Sequence, residues 1–413
     1  MGKNSEKSEY RVLLFDIDGV LVSQGGYRKA FTDTVSWFMN YFGFPEIQIG
    51  REFADRFDAY GVLAEWDMVP LTLSFFLDWY AENNPQARPF GKLEKLNNLP
   101  RIHPAMPFPE VLWQKIPQIQ DILNGEDIPA LAVYKHCLDQ KDQSILPRLW
   151  DDSVLSELLA DSLNVRTSWC FQKLETYILG SELFEQTFHI PTEKGIPSGL
   201  MTVNKALLNE KYRKKILEMN GKSLYVATIT ARPNLLPACI KDDKTEIISA
   251  IPEAEIAMDE LGWGDERIKN VGVGILHYYE KKRDLPQDSR LKPNPFHALF
   301  AILYAISDSF EKTFNVVSTW DFPEKSENKI NPFLPILPEG SMLDIAVFED
   351  SLSGIQSATD AAKILQNYGY IAQTRRYGIY TNPEKAELMK TIGTKCFPTI
   401  NDALDQYFSE TDQ

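Results

Sequence analysis

The sequence predicts an α/β fold, in which a parallel sheet is covered by helices on both faces and a large, mainly helical block is inserted near the N-terminus. Three observations predict it. Short apolar, β-prone runs alternate with segments of helical period through the C-terminal half, the order that yields parallel strands joined by helices. One further run of the same kind, Arg11 to Phe15, stands near the N-terminus, far from the others. Between it and them lies a block rich in large side chains, with several loops broken by proline and glycine.

Taken in order, Arg11 to Phe15 reads as a short buried strand bounded by Gly19. From Tyr27 the pattern turns helical, with Phe31, Val35, Phe38 and Phe42 on one face. Trp37, Trp66, Trp79, Trp113, Trp150 and Trp169 fall in the inserted block, and core packing is the reading for most of them. One or two are open to lining a ligand pocket. His189 to Gly199, with Pro191 and Pro197, reads as the crossing back between domains. A helix follows through Leu208, Tyr212, Ile216 and Met219, ending near Gly221. Leu224 to Ile229 is a strand of high β-propensity, and Val271 to Ile275 and Leu343 to Phe348 are further strand expectations. Helical patterns cover Phe296 to Ile306 and Ile355 to Leu365. The first strand belongs with this later region. The expected division is therefore a core of residues 1–26 and 200–413 and a mainly helical insertion of 27–199.

At 413 residues the chain is long enough for two domains with proper cores. The formal net charge of −15 argues against broad affinity for nucleic-acid backbones or anionic membrane, while leaving room for an anionic small molecule held by local cations. Cys137, Cys170, Cys239 and Cys396 are widely spaced and form neither a zinc pattern nor a disulfide framework, so they read as thiols of a reducing compartment. No apolar stretch is long enough to span a bilayer, and the first residues lack an apolar signal core, so the expectation is a cytoplasmic protein. The five histidines lack compact ligand spacing, and none is expected to be catalytic. Nor do the Gly-x-Gly runs at 262–264 and 272–274 form a dinucleotide fingerprint.

Chemistry concentrates first in Asp16-Ile17-Asp18-Gly19-Val20. Residues i and i+2 of a strand point the same way, so two carboxylates begin on one face and Gly19 permits the chain to reverse beside them. Like charges that close repel unless a cation or a proton reconciles them. Such a run is either a cation site or an acidic turn. Three more segments stand beside expected strand ends or helix starts: Thr230-Ala231-Arg232-Pro233, Lys292-Pro293-Asn294-Pro295, and Phe348-Glu349-Asp350-Ser351-Leu352-Ser353-Gly354.

In their order and placement these four segments resemble the motifs of the haloacid-dehalogenase-like hydrolase superfamily, in particular its magnesium-dependent phosphatases with a helical cap after the first motif. The resemblance covers about 1–26 and 200–405. It implies a Rossmann-like core, an aspartyl-phosphate mechanism and Mg²⁺ as cofactor. Asp16 is then the nucleophile and Asp18 the general acid/base, whose backbone carbonyl also ligates the metal. Thr230 and Ala231 hold the substrate phosphate, Lys292 neutralises charge around it, and Asp16 and Asp350 bind Mg²⁺. Glu349 is open to three roles: ligating Mg²⁺, orienting Lys292, or a local salt bridge. Arg28, just beyond Gly25 and Gly26, either contacts the substrate or is an ordinary surface arginine. Arg232 reads as a support for the second motif's loop, and Ser351 and Gly354 as shaping the start of the following helix.

The chemistry suits these residue types. A carboxylate can attack phosphorus and split hydrolysis into two steps. A second acid can protonate the leaving oxygen and then activate water. Mg²⁺ takes oxygen ligands, and with a lysine it neutralises charge during phosphoryl transfer. The presence of Asp18 favours phosphatase chemistry over carbon–halogen hydrolysis, since the dehalogenase branch lacks this second acid. The expected activity is phosphomonoester hydrolysis on a small phosphorylated metabolite. A sugar-phosphate phosphomutase and a non-catalytic, phosphometabolite-binding regulatory protein are the alternatives. The insertion exceeds the usual compact cap in length, which leaves the substrate and the oligomeric state open.

Overall fold

The computed structural model describes residues 8–87, 90–123, 128–240, 249–264, 267–322, 331–380 and 383–411. The chain divides into two compact units, one of Met1–Gln24 with Asn204–Gln413 and the other of Gly25–Val203.

The first unit is built on six parallel strands: β1 (Glu9–Phe15), β2 (Tyr225–Ile229), β3 (Lys269–Val271), β4 (Met342–Glu349), β5 (Ile371–Ile379) and β6 (Lys395–Phe397). Their order across the sheet is β3-β2-β1-β4-β5-β6. The central strand β1 aligns Phe15 with Thr228 on one side and with Phe348 on the other. Because β1 is covered on both faces, its apolar residues run on without alternation. Val12 and Leu14 join one core layer, and Leu13 and Phe15 join the other. The first layer is packed by the helices Val273–Arg283, Pro295–Ser307 and Leu352–Asn367. The second is packed by Glu210–Met219, Glu253–Glu260 and Ile400–Thr411. Helix Pro295–Ser307 is apolar nearly all round, as a helix sunk in a core must be. Pro295 starts it without wasting a donor, and the Asn294 side chain caps it by accepting from the Phe296 N–H at 2.9 Å. The parallel α/β class with a large helical insertion is the architecture observed.

Two stretches differ from their sequence pattern. The expected strand Val271 to Ile275 ends at Val271, and Val273 begins a helix. Gly272 sits at that helix's N-terminus, and Gly274 packs so tightly that a Cβ there would lie 2.8 Å from the Ser249 carbonyl oxygen. The Asn234 side chain accepts from the Ile275 N–H at 3.2 Å, which fixes the first turn. Tertiary contacts thus override the β-propensity of Val273 and Ile275. Strand β5 was not expected, because Gln373 to Arg376 break any apolar run. Arg375 is held there by Asp344 on β4 at 2.8 Å.

The second unit is helical, with Gly25–Phe42, Glu65–Asn83 and Trp169–Leu179 among its longer elements. Phe31, Val35, Phe38 and Phe42 are buried, as their spacing requires. Of the six tryptophans here only Trp79 is fully buried; Trp113 is exposed and the rest are half-buried. The segment read as a crossing packs inside this unit, where Ser181 Oγ donates to the Glu193 carbonyl at 2.6 Å and accepts from the Ile196 N–H at 2.9 Å. Among the described residues, no helix is long and apolar enough to cross a membrane.

Candidate active site

The strand order reverses direction at β1: β2 and β3 lie to one side, β4 to β6 to the other. In open α/β sheets the crevice at the carboxyl ends of the strands flanking such a switch point is where ligands bind. Asp16 leaves β1 there, its N–H donating to the Phe348 carbonyl at 2.9 Å. Asp350 leaves β4 and Thr230 leaves β2, the latter tied by its N–H to the Val271 carbonyl at 3.1 Å. Gly19 turns the chain with a φ of +74°, a region where side chains are strained. A Cβ on it would also lie 3.1 Å from Asp350 Oδ2, so the first and fourth segments meet at this glycine.

Lys292 reaches the same point from the loop before Pro295–Ser307. Its ammonium donates to Asp16 Oδ1 at 2.8 Å and to Glu349 Oε1 at 2.6 Å. From below, the buried His297 accepts from the Lys292 N–H through Nδ1 at 3.4 Å. Its Nε2–H donates to the Val271 carbonyl at 2.9 Å, which defines the tautomer. Burial pushes the His297 pKa down to about 3, so the ring is neutral. Glu349 is wholly buried, and its second oxygen accepts from the Ser351 N–H at 2.9 Å and the Ser351 hydroxyl at 2.7 Å. The Ser351 hydroxyl in turn caps helix Leu352–Asn367 at the Gly354 N–H. Glu349 is therefore ion-paired with Lys292, which it holds in place, and it also ties down its own loop through Ser351, a part not read from the sequence.

Carboxylate oxygens of Asp16, Glu349 and Asp350 lie within 4.8 Å of one another. Burial raises the Asp16 pKa well above the ordinary carboxylate value; Lys292 opposes this, and Glu349, Asp350 and Asp18 add to it. Burial works to lower the Lys292 pKa, but Asp16 and Glu349 outweigh it and hold it above the ordinary lysine value. Three carboxylates against one ammonium leave negative charge to be balanced. The donors are all oxygen, the set that a hard divalent cation such as Mg²⁺ takes. The residues fit such an ion.

Asp18 is not part of that trio through its side chain. Both of its carboxylate oxygens face Arg232, which donates from Nε at 2.7 Å and from Nη2 at 2.6 Å. Arg232 also caps the Glu253 carbonyl from Nη1 at 3.0 Å, and its backbone N–H donates to Thr230 Oγ1 at 3.1 Å. That bond leaves the Thr230 hydroxyl proton for another acceptor. Ala231, next to it, is exposed. Arg28 lies in the helical unit, where its guanidinium meets Glu65 at 2.8 Å and also Asp58. The hold of Arg232 on Asp18 and the place of His297 beneath Lys292 went unread in the sequence. The signal for Arg232 was its place two residues after Thr230, while His297, in the helix that starts after Lys292, carried none.

No protein-family model matches the chain, and no curated protein does. Among solved structures, the chain is similar to an X-ray structure of the Northeast Structural Genomics Consortium target ZR25, with 16% identity and a TM-score of 0.59. That match covers 98% of this chain and 99% of the other. The likeness shows the fold alone. A phosphatase, Tt82 from Thermococcus thioreducens, aligns over 88% of this chain and 92% of its own at 12% identity, and its TM-score of 0.39 carries no argument.

Proposed function

We propose that this chain is a magnesium-dependent phosphomonoester hydrolase of the haloacid-dehalogenase-like superfamily, acting on a small phosphorylated metabolite through an aspartyl-phosphate. One observation carries the reading. A buried aspartate at the carboxyl end of the central strand is bound by a buried lysine and lies beside two further carboxylates suited to a divalent cation. The helical unit 25–203 takes the place in the chain where that superfamily carries its cap.

In this mechanism Asp16 and Asp350, with the backbone carbonyl of Asp18, would hold Mg²⁺, and Glu349 stands beside them. Mg²⁺, when bound there, would offset negative charge on the phosphoryl oxygens. A carboxylate oxygen of Asp16 attacks phosphorus as the ester P–O bond breaks, and the leaving oxygen takes a proton from Asp18. Lys292 shields the developing charge, and the Thr230 hydroxyl and the backbone at Ala231 donate to a phosphoryl oxygen. Water then attacks the aspartyl-phosphate, passes its proton to Asp18, and releases phosphate with Asp16 restored.

A screen of phosphorylated metabolites, with phosphate release read with and without Mg²⁺, tests this. The expected outcome is metal-dependent release that Asp16→Asn abolishes. Unchanged turnover in that variant removes Asp16 as the nucleophile. An isomerised ester with little free phosphate rejects hydrolysis.

A further inference from the structure

We infer that Arg232 is the positioning residue for Asp18, aiming the acid/base carboxylate as well as bracing the loop that carries Thr230. The inference rests on the acid/base role proposed for Asp18. Asp18 lies three residues beyond the end of β1 at Phe15 and directly before the Gly19 turn, and its side chain is 24% exposed. A carboxylate so placed has several staggered rotamers open to it. Arg232 removes that freedom. Its Nε and Nη2 take both Asp18 oxygens in a side-by-side fork, which sets the plane of the carboxylate as well as its place.

The arginine itself cannot wander. Its side chain is 2% exposed, its Nη1 is held by the Glu253 carbonyl, and its own backbone is held at both ends. The Arg232 N–H donates to Thr230 Oγ1, and the Val273 N–H donates to the Arg232 carbonyl at 3.0 Å. Each acid of the N-terminal pair thus has a cation of its own, Lys292 for Asp16 and Arg232 for Asp18. Two like charges one residue apart are drawn to different partners, which keeps the nucleophile and the acid/base group distinct. Positioning to within about 0.5 Å is what proton transfer at a fixed atom demands.

A double-mutant cycle on the full-length protein tests the inference, using p-nitrophenyl phosphate with saturating Mg²⁺. Arg232→Met is expected to lower kcat by about tenfold or more, with KM changed by less than about twofold. Asp18→Asn lowers kcat as well, and adding Arg232→Met to it costs far less than the same change costs the wild type, because most of the arginine's effect runs through the group already removed and only its bracing of the Thr230 loop is left to lose. Arg232→Lys keeps the charge but not the fork, and stays severalfold below wild type. It also supplies the comparison if Arg232→Met does not fold. Losses that add in the double variant, or full activity in Arg232→Lys, overturn the assignment and leave only a loop-bracing role. A wild-type chain that turns over no phosphomonoester refutes the hydrolase reading, and the role of Arg232 falls with it. An active wild type with additive losses refutes the Arg232 assignment alone.

Discussion

Gly354→Ala is a substitution that ordinary helix energetics favours and this site forbids. Gly354 lies in the first turn of helix Leu352–Asn367, and its φ is not positive, so an alanine there meets no backbone penalty. Helix propensity alone favours the change by about 1 kcal/mol. The new Cβ, however, would overlap the Glu349 carboxylate and lie 2.6 Å from Glu349 Cγ. Glu349 is wholly buried and cannot swing into solvent. Making room means pulling it from the Lys292 ammonium, and breaking a buried ion pair costs roughly 3–5 kcal/mol. The Ser351 cap, anchored on the same carboxylate, adds roughly 1 kcal/mol if lost. Net of propensity, the variant is expected to be less stable by about 3 kcal/mol or more, as read by urea denaturation followed by circular dichroism. Its phosphate release falls with the loss of Lys292's second anchor. A variant within about 1 kcal/mol of wild type would refute the reasoning, since it would mean that Glu349 does not pack on this glycine.

Other outcomes follow from the same geometry. Asp350→Asn removes a carboxylate from the trio, so the Mg²⁺ concentration for half-maximal phosphate release is expected to rise about tenfold or more, equivalent to about 1.4 kcal/mol; an unchanged requirement removes Asp350 as a ligand. His297, held neutral with its pKa lowered from 6.5 to about 3, contributes stability that is present above pH 6.5 and lost as pH falls toward 3, because the unfolded chain takes up the proton first. The full loss is on the order of 5 kcal/mol. Denaturation midpoints of wild type and His297→Gln across that window should show the steeper acid loss in wild type, and parallel curves contradict the burial argument.

Much of the site was legible because its parts sit where local rules operate. Asp16 and Glu349 stand at or beside the ends of apolar runs, and Lys292 stands before a Pro-started helix, so sequence neighbours alone place each near a strand end or a helix start. The order of the strands was not legible, since β1 pairs with β2 across the whole inserted unit. The partner of Asp18 was hidden for the same reason: Arg232 lies 214 residues away, and no periodicity links them. Local pattern also misled at Val273 and Ile275, where backbone crowding at Gly274 and the Asn234 cap outweigh β-propensity. At β5 the polar run Gln373 to Arg376 hid a strand because its arginine is satisfied by Asp344, a neighbour only in the folded sheet. Arg28 reads from sequence as either a substrate contact or an ordinary surface arginine, whereas Glu65 and Asp58 pair with it within the helical unit.

The central claim is that a carboxylate oxygen of Asp16 is the nucleophile that accepts the phosphoryl group. Its most direct test is acid-quenched mass spectrometry of the full-length protein after brief exposure to acetyl phosphate and Mg²⁺, with peptides mapped for a phosphoryl group. The expected result is one acid-stable, hydroxylamine-labile adduct on the peptide containing Asp16, absent without Mg²⁺ and absent in Asp16→Asn. An adduct on another residue, or one that persists in Asp16→Asn, would contradict the account.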